Sequence, residues 1–303
     1  MNDVLTALLR ANIVAAATVL AVLLLRLPAR RLFGPEAAYR LWIAPPLTAL
    51  ATILPPRAVE DVQVSFLSQL TVERPLVWMS AWILGSTLVL ASFSWAQVRF
   101  MSAVKAGRAG PAVVGVIAPR IVMPEAASAY TPEELSLIRA HEREHIRRLD
   151  PRAGGVAAIL QALCWFNPLA HLAAHLMRLD QELACDAAVL RHRPRDRALY
   201  AKTLLKTQLA AQALPFGCYW LAHGRHPLEV RVGLLGDARP HEGLAGPVLM
   251  TGLAAVAAVA AWGVQPPVLR HPPPMISFWD AHQQGPTMSV LLVRAPPAHR
   301  DDA

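Results

Sequence analysis

The segment IRAHEREHIRRLDP, residues 138–151, carries two histidines four positions apart, and a glutamate directly follows the first. On a helix, His141 and His145 lie on one face, one turn apart. Both imidazoles can therefore bind one zinc ion at about 2.0–2.1 Å. Glu142 is rotated by about 100° from His141, which suits a general base that takes a proton from water better than a third ligand. This spacing is the H-E-x-x-H arrangement of zinc peptidases.

The residues upstream predict where this helix begins. Thr131 is a suitable N-cap, Pro132 suits the first helical position, and Glu134 completes a capping box. The alternative is a solvated surface helix stabilised by Glu144 and Arg148, which also have the i,i+4 spacing. A third metal ligand downstream would distinguish the two.

Two acidic positions are candidates for that third ligand. Asp150 follows closely, but motifs of that type place a glycine three residues after the second histidine and the ligand six after it. This chain has arginine and proline there, so we interpret Asp150 as the N-cap of the next helix. The segment LDQELACDAAVL, residues 179–190, places Glu182 and Asp186 on one helical face. Glu182 can bind the metal, and Asp186 can accept a hydrogen bond from the outer nitrogen of a ligating histidine.

Hydrophobic runs dominate the rest of the chain. The 303 residues are 54% hydrophobic and 17% charged, with a mean hydropathy of +0.35. A soluble domain averages about 25% charged residues, so a soluble protein is disfavoured. Four runs have close to the roughly 20 apolar residues that cross a bilayer. They predict spans at residues 4–27, 37–56, 75–98 and 244–264.

The charges of the first two loops predict the orientation of these spans. Four arginines stand against one glutamate between the first and second runs, whereas residues 57–74 hold three acids and two arginines. The more basic loop belongs on the cytosolic side. Both termini are therefore expected outside the cytosol, and residues 99–243 inside it.

With these motifs in place, the chain resembles the BlaR/MecR-type integral-membrane metallopeptidases, which are gluzincins. The resemblance rests on GPAVVGVIAPRIVMPE, TPEELSLIRAHEREHIRRLDP, CWFNPLAHL, RLDQELACDAAVL and ALYAKTLL, with three hydrophobic runs before them and one after. It covers residues 1–265 and implies a zinc site of His141, His145 and Glu182, with Glu142 catalytic. Membrane peptidases of the HtpX and CAAX-protease type share the same two motifs and are the nearest alternative.

The segment after the last run departs from that family. Its antibiotic-sensing members carry a large penicillin-binding domain there, whereas residues 265–303 are rich in proline and contain neither S-x-x-K nor K-T-G. We therefore expect no covalent β-lactam binding of that kind by this tail.

The apolar segment between the two metal motifs, residues 154–177, has two interpretations. It is too short to cross the membrane twice, which needs about 40 residues, and a single crossing would separate motifs that must reach one metal. Two short helices that dip into the membrane interface or pack on the spans are one interpretation, and an ordinary core hairpin is the other.

Several single residues and one strand pair are further candidates. His175 and Tyr200 are candidate oxyanion donors, because both types of side chain carry a hydrogen-bond donor. Cys185 is interpreted as a packing residue that points away from Glu182. The segment PAVVGVIAPRIVMP, residues 111–124, predicts a β-hairpin, and an edge strand of such a hairpin can pair with an extended substrate.

Together these features predict a mainly α protein with four membrane spans and a cytosolic gluzincin-type zinc domain that contains a small β-hairpin. The predicted units are three spans within residues 1–98, the zinc domain at 99–243, the fourth span at 244–264 and the tail at 265–303. We expect Zn2+ as the cofactor and the bacterial cytoplasmic membrane, with its lipid, as the location.

The resemblance also implies a substrate, namely a cytosolic regulatory protein and more narrowly a DNA-binding repressor. The basic run RHRPRDR, residues 191–197, has no interleaved aromatic residues, so no direct nucleic-acid binding is expected. The oligomeric state is open and a dimer is compatible. A constitutive quality-control peptidase and a non-catalytic zinc-binding sensor are the alternatives, the latter disfavoured because structural zinc has four protein ligands.

Overall fold

Three long apolar helices cover the first, third and fourth predicted spans in the computed structural model of the protein. The structure describes residues 2–56, 58–59, 74–107, 111–123, 129–210, 227–236, 245–265 and 268–269. The three helices are α1 (Asn2–Phe33), α4 (Pro75–Lys105) and α10 (Ala245–Gly263), each long and apolar enough to cross a membrane. Large apolar side chains point outward along them, such as Leu24 with 77% exposure, as expected of faces that contact lipid.

The second predicted span is helical but broken. It consists of α2 (Pro35–Arg40), a 3-10 turn (Leu41–Ile43) and α3 (Ala44–Ala51). The two prolines at the start of α3 lack the amide hydrogens that would continue α-helical bonding, which explains the break. The described residues thus contain three span-length helices, and a fourth crossing stays a prediction.

The helix ends show which segments share a side of the bundle. Phe33, at the end of α1, packs against Gly246, at the start of α10, so closely that a side chain at Gly246 would clash. At the other end, the indole N–H of Trp262 in α10 donates to the carbonyl of Pro55 at 3.0 Å. The short strands β1 (Ala58–Val59) and β4 (Val268–Leu269) pair in parallel beyond these ends. The second run and α10 therefore point the same way, opposite to α1.

The described residues between α4 and α10 form a β-hairpin, five α-helices and a short 3-10 helix (Pro194–Asp196). The hairpin pairs β2 (Ala112–Val114) with β3 (Arg120–Val122) antiparallel, which confirms its prediction. The helices are α5 (Pro132–Arg147), α6 (Asp150–Leu163), α7 (Pro168–His192), α8 (Arg197–Ala210) and α9 (Pro227–Gly236). Four of them, α5, α7, α8 and α9, share a core that contains Leu137, Val189, Leu190, Tyr200, Leu204 and Leu235. The fold class is therefore mainly α with membrane helices, as predicted. The tail, except β4, and most of residues 57–74 lie outside the described residues.

The predicted capping box begins α5. The hydroxyl of Thr131 accepts the amide hydrogen of Glu134, and the carboxylate of Glu134 accepts that of Thr131 at 3.0 Å. At the other end, Leu149 adopts a left-handed conformation with a φ of 61°, so the chain reverses into α6. Leu149 rather than Asp150 is the N-cap of α6, so our assignment of Asp150 as the N-cap was wrong by one residue.

The hairpin of α6 and α7 packs along the membrane helices. The indole N–H of Trp82 in α4 donates to the carbonyl of Leu163 at 2.8 Å, and the amide of Asn167 donates to Asn12 of α1 at 3.0 Å. Both partners lie within their long helices rather than at the ends. Residues 154–177 therefore pack on the long apolar helices, as one of the two interpretations expected, although α7 is a 25-residue helix rather than a short one.

Candidate metal centre

Two histidines and a glutamate converge where α5 meets α7. The Nε2 atoms of His141 and His145 lie 3.1 Å apart. The carboxylate of Glu182 lies 3.4 Å from the first and 3.5 Å from the second. The helical spacing of the two histidines places both on the face of α5 that contacts α7. The three residues that the sequence predicted as ligands are thus brought together as a potential metal site.

The distances between these donor atoms fit one zinc ion. Ligands at about 2.0–2.1 Å in tetrahedral geometry are separated by roughly 3.3 Å, close to all three observed values. Two imidazoles and a carboxylate also make a common catalytic donor set, with a fourth position left for water or substrate. Two imidazole lone pairs and a carboxylate that face one another repel unless a cation or a proton lies between them.

The outer nitrogen of His145 is held by Asp150. Its Nδ1 lies 2.8 Å from the Oδ2 atom of Asp150, and Asp150 is almost fully buried. A carboxylate at this position fixes the ring with its hydrogen on Nδ1 and leaves Nε2 available as a ligand. Burial raises the pKa of Asp150, but the His145 hydrogen bond and nearby Arg148 outweigh burial and lower it overall. The sequence analysis missed this role of Asp150.

The outer nitrogen of His141 meets a different partner. The hydroxyl of Tyr200 lies 2.8 Å from Nδ1 of His141 and donates to Asp186 at 2.6 Å. The hydroxyl oxygen is therefore free to accept the Nδ1 hydrogen of His141. Asp186 itself lies 3.4 Å from the same Nδ1. The carboxylate that was predicted behind a ligating histidine is thus present, but it acts mainly through Tyr200.

Arg231 of α9 is a buried cation behind this pair. It donates to both oxygens of Asp186 at 2.8 Å and lies 3.0 Å from Glu182. Burial alone would raise the pKa of Glu182, but Arg231 and the two histidines outweigh burial and hold that pKa well below its usual range. Arg231 was not predicted from the sequence. It lies 45 positions from Asp186 along the chain, no motif marks it, and only tertiary packing brings the two side chains together.

Glu142 lies beside the cluster without sharing its face of α5. It is buried, with 8% exposure. Burial raises its pKa above that of an ordinary carboxyl, while the neighbouring histidines oppose this effect. A carboxyl poised in this way can exchange a proton with water more readily than a strongly acidic one.

Cys185 corrects one expectation. Its thiol lies 3.3 Å from both Nδ1 of His145 and Oδ2 of Asp150, so it faces the centre rather than pointing away. Three residues along a helix rotate the side chain by about 300°, which leaves Cys185 only about 60° from Glu182. Burial raises the pKa of this thiol, which donates its hydrogen to Asp150. Cys185, His145 and Asp150 form a second potential metal-binding group beside the first.

The two predicted oxyanion donors lie in different surroundings. The Tyr200 hydroxyl is engaged behind His141, on the edge of the ring opposite Nε2, which favours a positioning role over an oxyanion role. His175, seven residues before Glu182 on α7, belongs to neither of the potential metal-binding groups among the described residues. Burial and the nearby Arg178 lower its pKa.

Apolar membrane helices joined to an H-E-x-x-H helix, with a carboxylate from a second helix, are features typical of membrane metallopeptidases. The chain belongs to the BlaR1 peptidase M56 family, whose model matches residues 6–83 and 97–235. It is also 30% identical over 115 residues to regulatory protein BlaR1 of Bacillus licheniformis, a match that covers 36% of this chain and 19% of that protein. The chain thus aligns with only a small part of that relative's length. No solved structure matches it.

Proposed function

We propose that this protein is a membrane-embedded zinc metalloendopeptidase that cleaves a cytosolic regulatory protein. The observation that carries the proposal is the convergence of two Nε2 atoms and one carboxylate at 3.1–3.5 Å. Their separations match a single tetrahedral ion, and each outer ring nitrogen has a partner that directs Nε2 inward. Membership of a metallopeptidase family supports the same conclusion.

The protein's own groups divide the work of peptide hydrolysis. Zinc, when bound by His141, His145 and Glu182, supplies a Lewis acid that polarises the scissile carbonyl and makes water more acidic. Glu142 takes a proton from the attacking water and gives it to the leaving amine nitrogen. Its burial favours the first step, because a raised pKa makes the carboxylate a stronger base toward the water proton.

The outer partners keep the ligands in place while the proton moves. Asp150 holds the His145 ring, and Tyr200 with Asp186 holds the His141 ring. Each hydrogen bond to Nδ1 prevents the imidazole from rotating or changing tautomer. Arg231 balances the negative charge of Glu182 and Asp186, which reduces the repulsion between the two carboxylates.

The substrate is proposed from the location and the relative. The charges of the first two loops predict that residues 99–243 lie in the cytosol, and a substrate would then be cytosolic or emerge from the membrane there. The relative carries the name of a regulatory protein, which supports a role in signalling. A cytosolic transcriptional repressor is the substrate that we propose.

The test replaces Glu142 and follows, in cells, the intact form of any transcriptional repressor that a neighbouring gene encodes, as the candidate substrate. Glu142→Gln removes the base but leaves all three ligands. We expect it to retain zinc and to leave the repressor intact, while the wild-type chain depletes it. Glu144→Gln, on the same helix but paired with exposed Arg147, is the matched control and should behave as wild type. Equal loss of repressor with Glu142→Gln would show that another protease cuts it.

A further inference from the structure

The start of the second hydrophobic run reaches the metal centre. Tyr39 of α2 donates its hydroxyl hydrogen to Oδ1 of Asp150 at 2.9 Å. The other oxygen of the same carboxylate holds His145 at 2.8 Å. Asp150 therefore bridges a tyrosine from the membrane part of the chain and a metal ligand. The side-chain amide of Gln181, next to Glu182, donates to the same tyrosine hydroxyl at 3.3 Å.

Charged groups from the same two segments enclose this bridge. The guanidinium of Arg148 lies over the ring of Tyr39, 4.7 Å from its centre, and its Nε atom is 3.5 Å from Asp150. Glu36, on the same short helix as Tyr39, pairs with Arg148 from the other side. Only 5% of the Arg148 side chain is exposed. Two side chains of α2, Glu36 and Tyr39, thus contact Arg148, and Tyr39 also donates to Asp150.

The Asp150 carboxylate needs a second hydrogen bond to hold one orientation. The terminal torsion of an aspartate is broad, so a hydrogen bond to one oxygen leaves the plane of the group free to turn. A donor on the other oxygen removes this freedom. Tyr39 provides that donor, and burial of Asp150 excludes water that could replace it. The direction in which His145 presents Nε2 consequently depends on Tyr39.

We propose that Tyr39 is a positioning residue of the metal centre, which orients His145 through Asp150 and ties that ligand to the membrane part of the chain. The inference rests on the proposed zinc site. It adds a residue from outside the two metal-binding motifs. Tyr39 lies on α2, which would move together with the first two hydrophobic runs.

The test measures zinc affinity of the purified full-length protein by competition with a chelator. Tyr39→Phe removes only the hydroxyl and keeps the ring under Arg148, so it should fold. We expect zinc binding weaker by roughly threefold to tenfold, below the roughly 10–100-fold typical of a direct outer partner. Asp150→Asn should fall in that larger range. The matched control is Tyr130→Phe, because the ring of Tyr130 packs against Lys206 instead.

A double variant separates positioning from general damage. If Tyr39 acts through Asp150, adding Tyr39→Phe to Asp150→Asn should change zinc affinity by less than about twofold, whereas independent effects multiply. Wild-type affinity in Tyr39→Phe, or losses that multiply in the double variant, would overturn the inference while the zinc site stands. Full zinc content after loss of both His141 and His145 would instead overturn the proposed function together with this inference.

Discussion

The guanidinium of Arg26 donates to both carboxylate oxygens of Asp180, at 2.8 and 2.9 Å. Arg26 belongs to the first membrane helix, and Asp180 stands two residues before Glu182 on α7. The indole N–H of Trp42 also donates to Asp180 at 2.8 Å. Both charged side chains are buried. The helix that carries the third ligand is thus joined to the first membrane helix by a buried ion pair, to which Arg30 adds a longer contact of 3.7 Å with Asp180.

Breaking this pair should destabilise the protein strongly. Asp180→Asn leaves Arg26 as a buried charge with no full partner, which typically costs about 3–5 kcal/mol. The double variant Arg26→Gln with Asp180→Asn should recover part of the loss, because the more deeply buried charge is removed and only Arg30, at 3.7 Å from Asp180, still loses its partner. Thermal unfolding of the purified protein measures both. Arg147→Gln is the control, since its exposed pair with Glu144 contributes at most about 1 kcal/mol. A melting temperature unchanged by Asp180→Asn would contradict the prediction.

Zinc content should depend on the histidine pair of α5 and not on the pair of α7, although both pairs have the same spacing. Replacing His141 and His145 by alanine removes two of three ligands, so purified protein should lose its zinc. His171 and His175 have the same i,i+4 spacing on α7, and His171 instead bonds Gln161 and the carbonyl of Trp165. Alanine at both of these positions should leave zinc content unchanged. Elemental analysis compares the two double variants, and equal zinc in both would argue against the site.

Tyr200→Phe should distinguish positioning from oxyanion stabilisation. Its hydroxyl contacts Nδ1 of His141, so its loss should weaken zinc binding by roughly tenfold, as for other outer partners. Turnover at saturating zinc should then stay near that of the wild type. An oxyanion donor would behave in the opposite way, with unchanged zinc affinity and a kcat lower by roughly 100- to 1,000-fold. Chelator competition and peptide cleavage on the same preparation decide between them.

Local patterns in the sequence predicted much of this centre. Thr131 and Glu134 form a capping box from residues three apart, and the spacing of His141 and His145 alone puts them on one face. The assignment of Glu182 to the metal rested on the family resemblance, whereas helical geometry alone puts Glu182 and Asp186 on one face. These features depend on residues within one turn of each other, so no knowledge of the tertiary fold was needed.

The partners behind the ligands could not be predicted in this way. Tyr39 reaches Asp150 across 111 positions, and Arg231 reaches Asp186 across 45. Each contact exists only because two helices pack at a particular angle, and neither residue carries a motif. Asp150 was misjudged for a related reason. The left-handed conformation of Leu149 directs the carboxylate of Asp150 toward His145. A positive φ is rare at leucine, and no sequence pattern predicts it here.

The last prediction concerns the number of crossings. The second hydrophobic run is broken by a 3-10 turn, yet its end and the end of α10 meet at Pro55 and Trp262, which favours a full crossing in the same direction. We therefore expect four spans with both termini outside the cytosol. Reporter fusions at Glu60, Arg108 and Gln283, all outside the described residues, test this arrangement. Alkaline phosphatase should be active at the first and third positions, and a green fluorescent protein only at the second. Using both reporters at each position controls for expression, because they work on opposite sides.

If the second run stayed within one leaflet, Glu60 would lie in the cytosol and α4 would cross in reverse. The fusion at Arg108 would then report the outer side, which would place the metal centre outside the cytosol and contradict the proposed substrate.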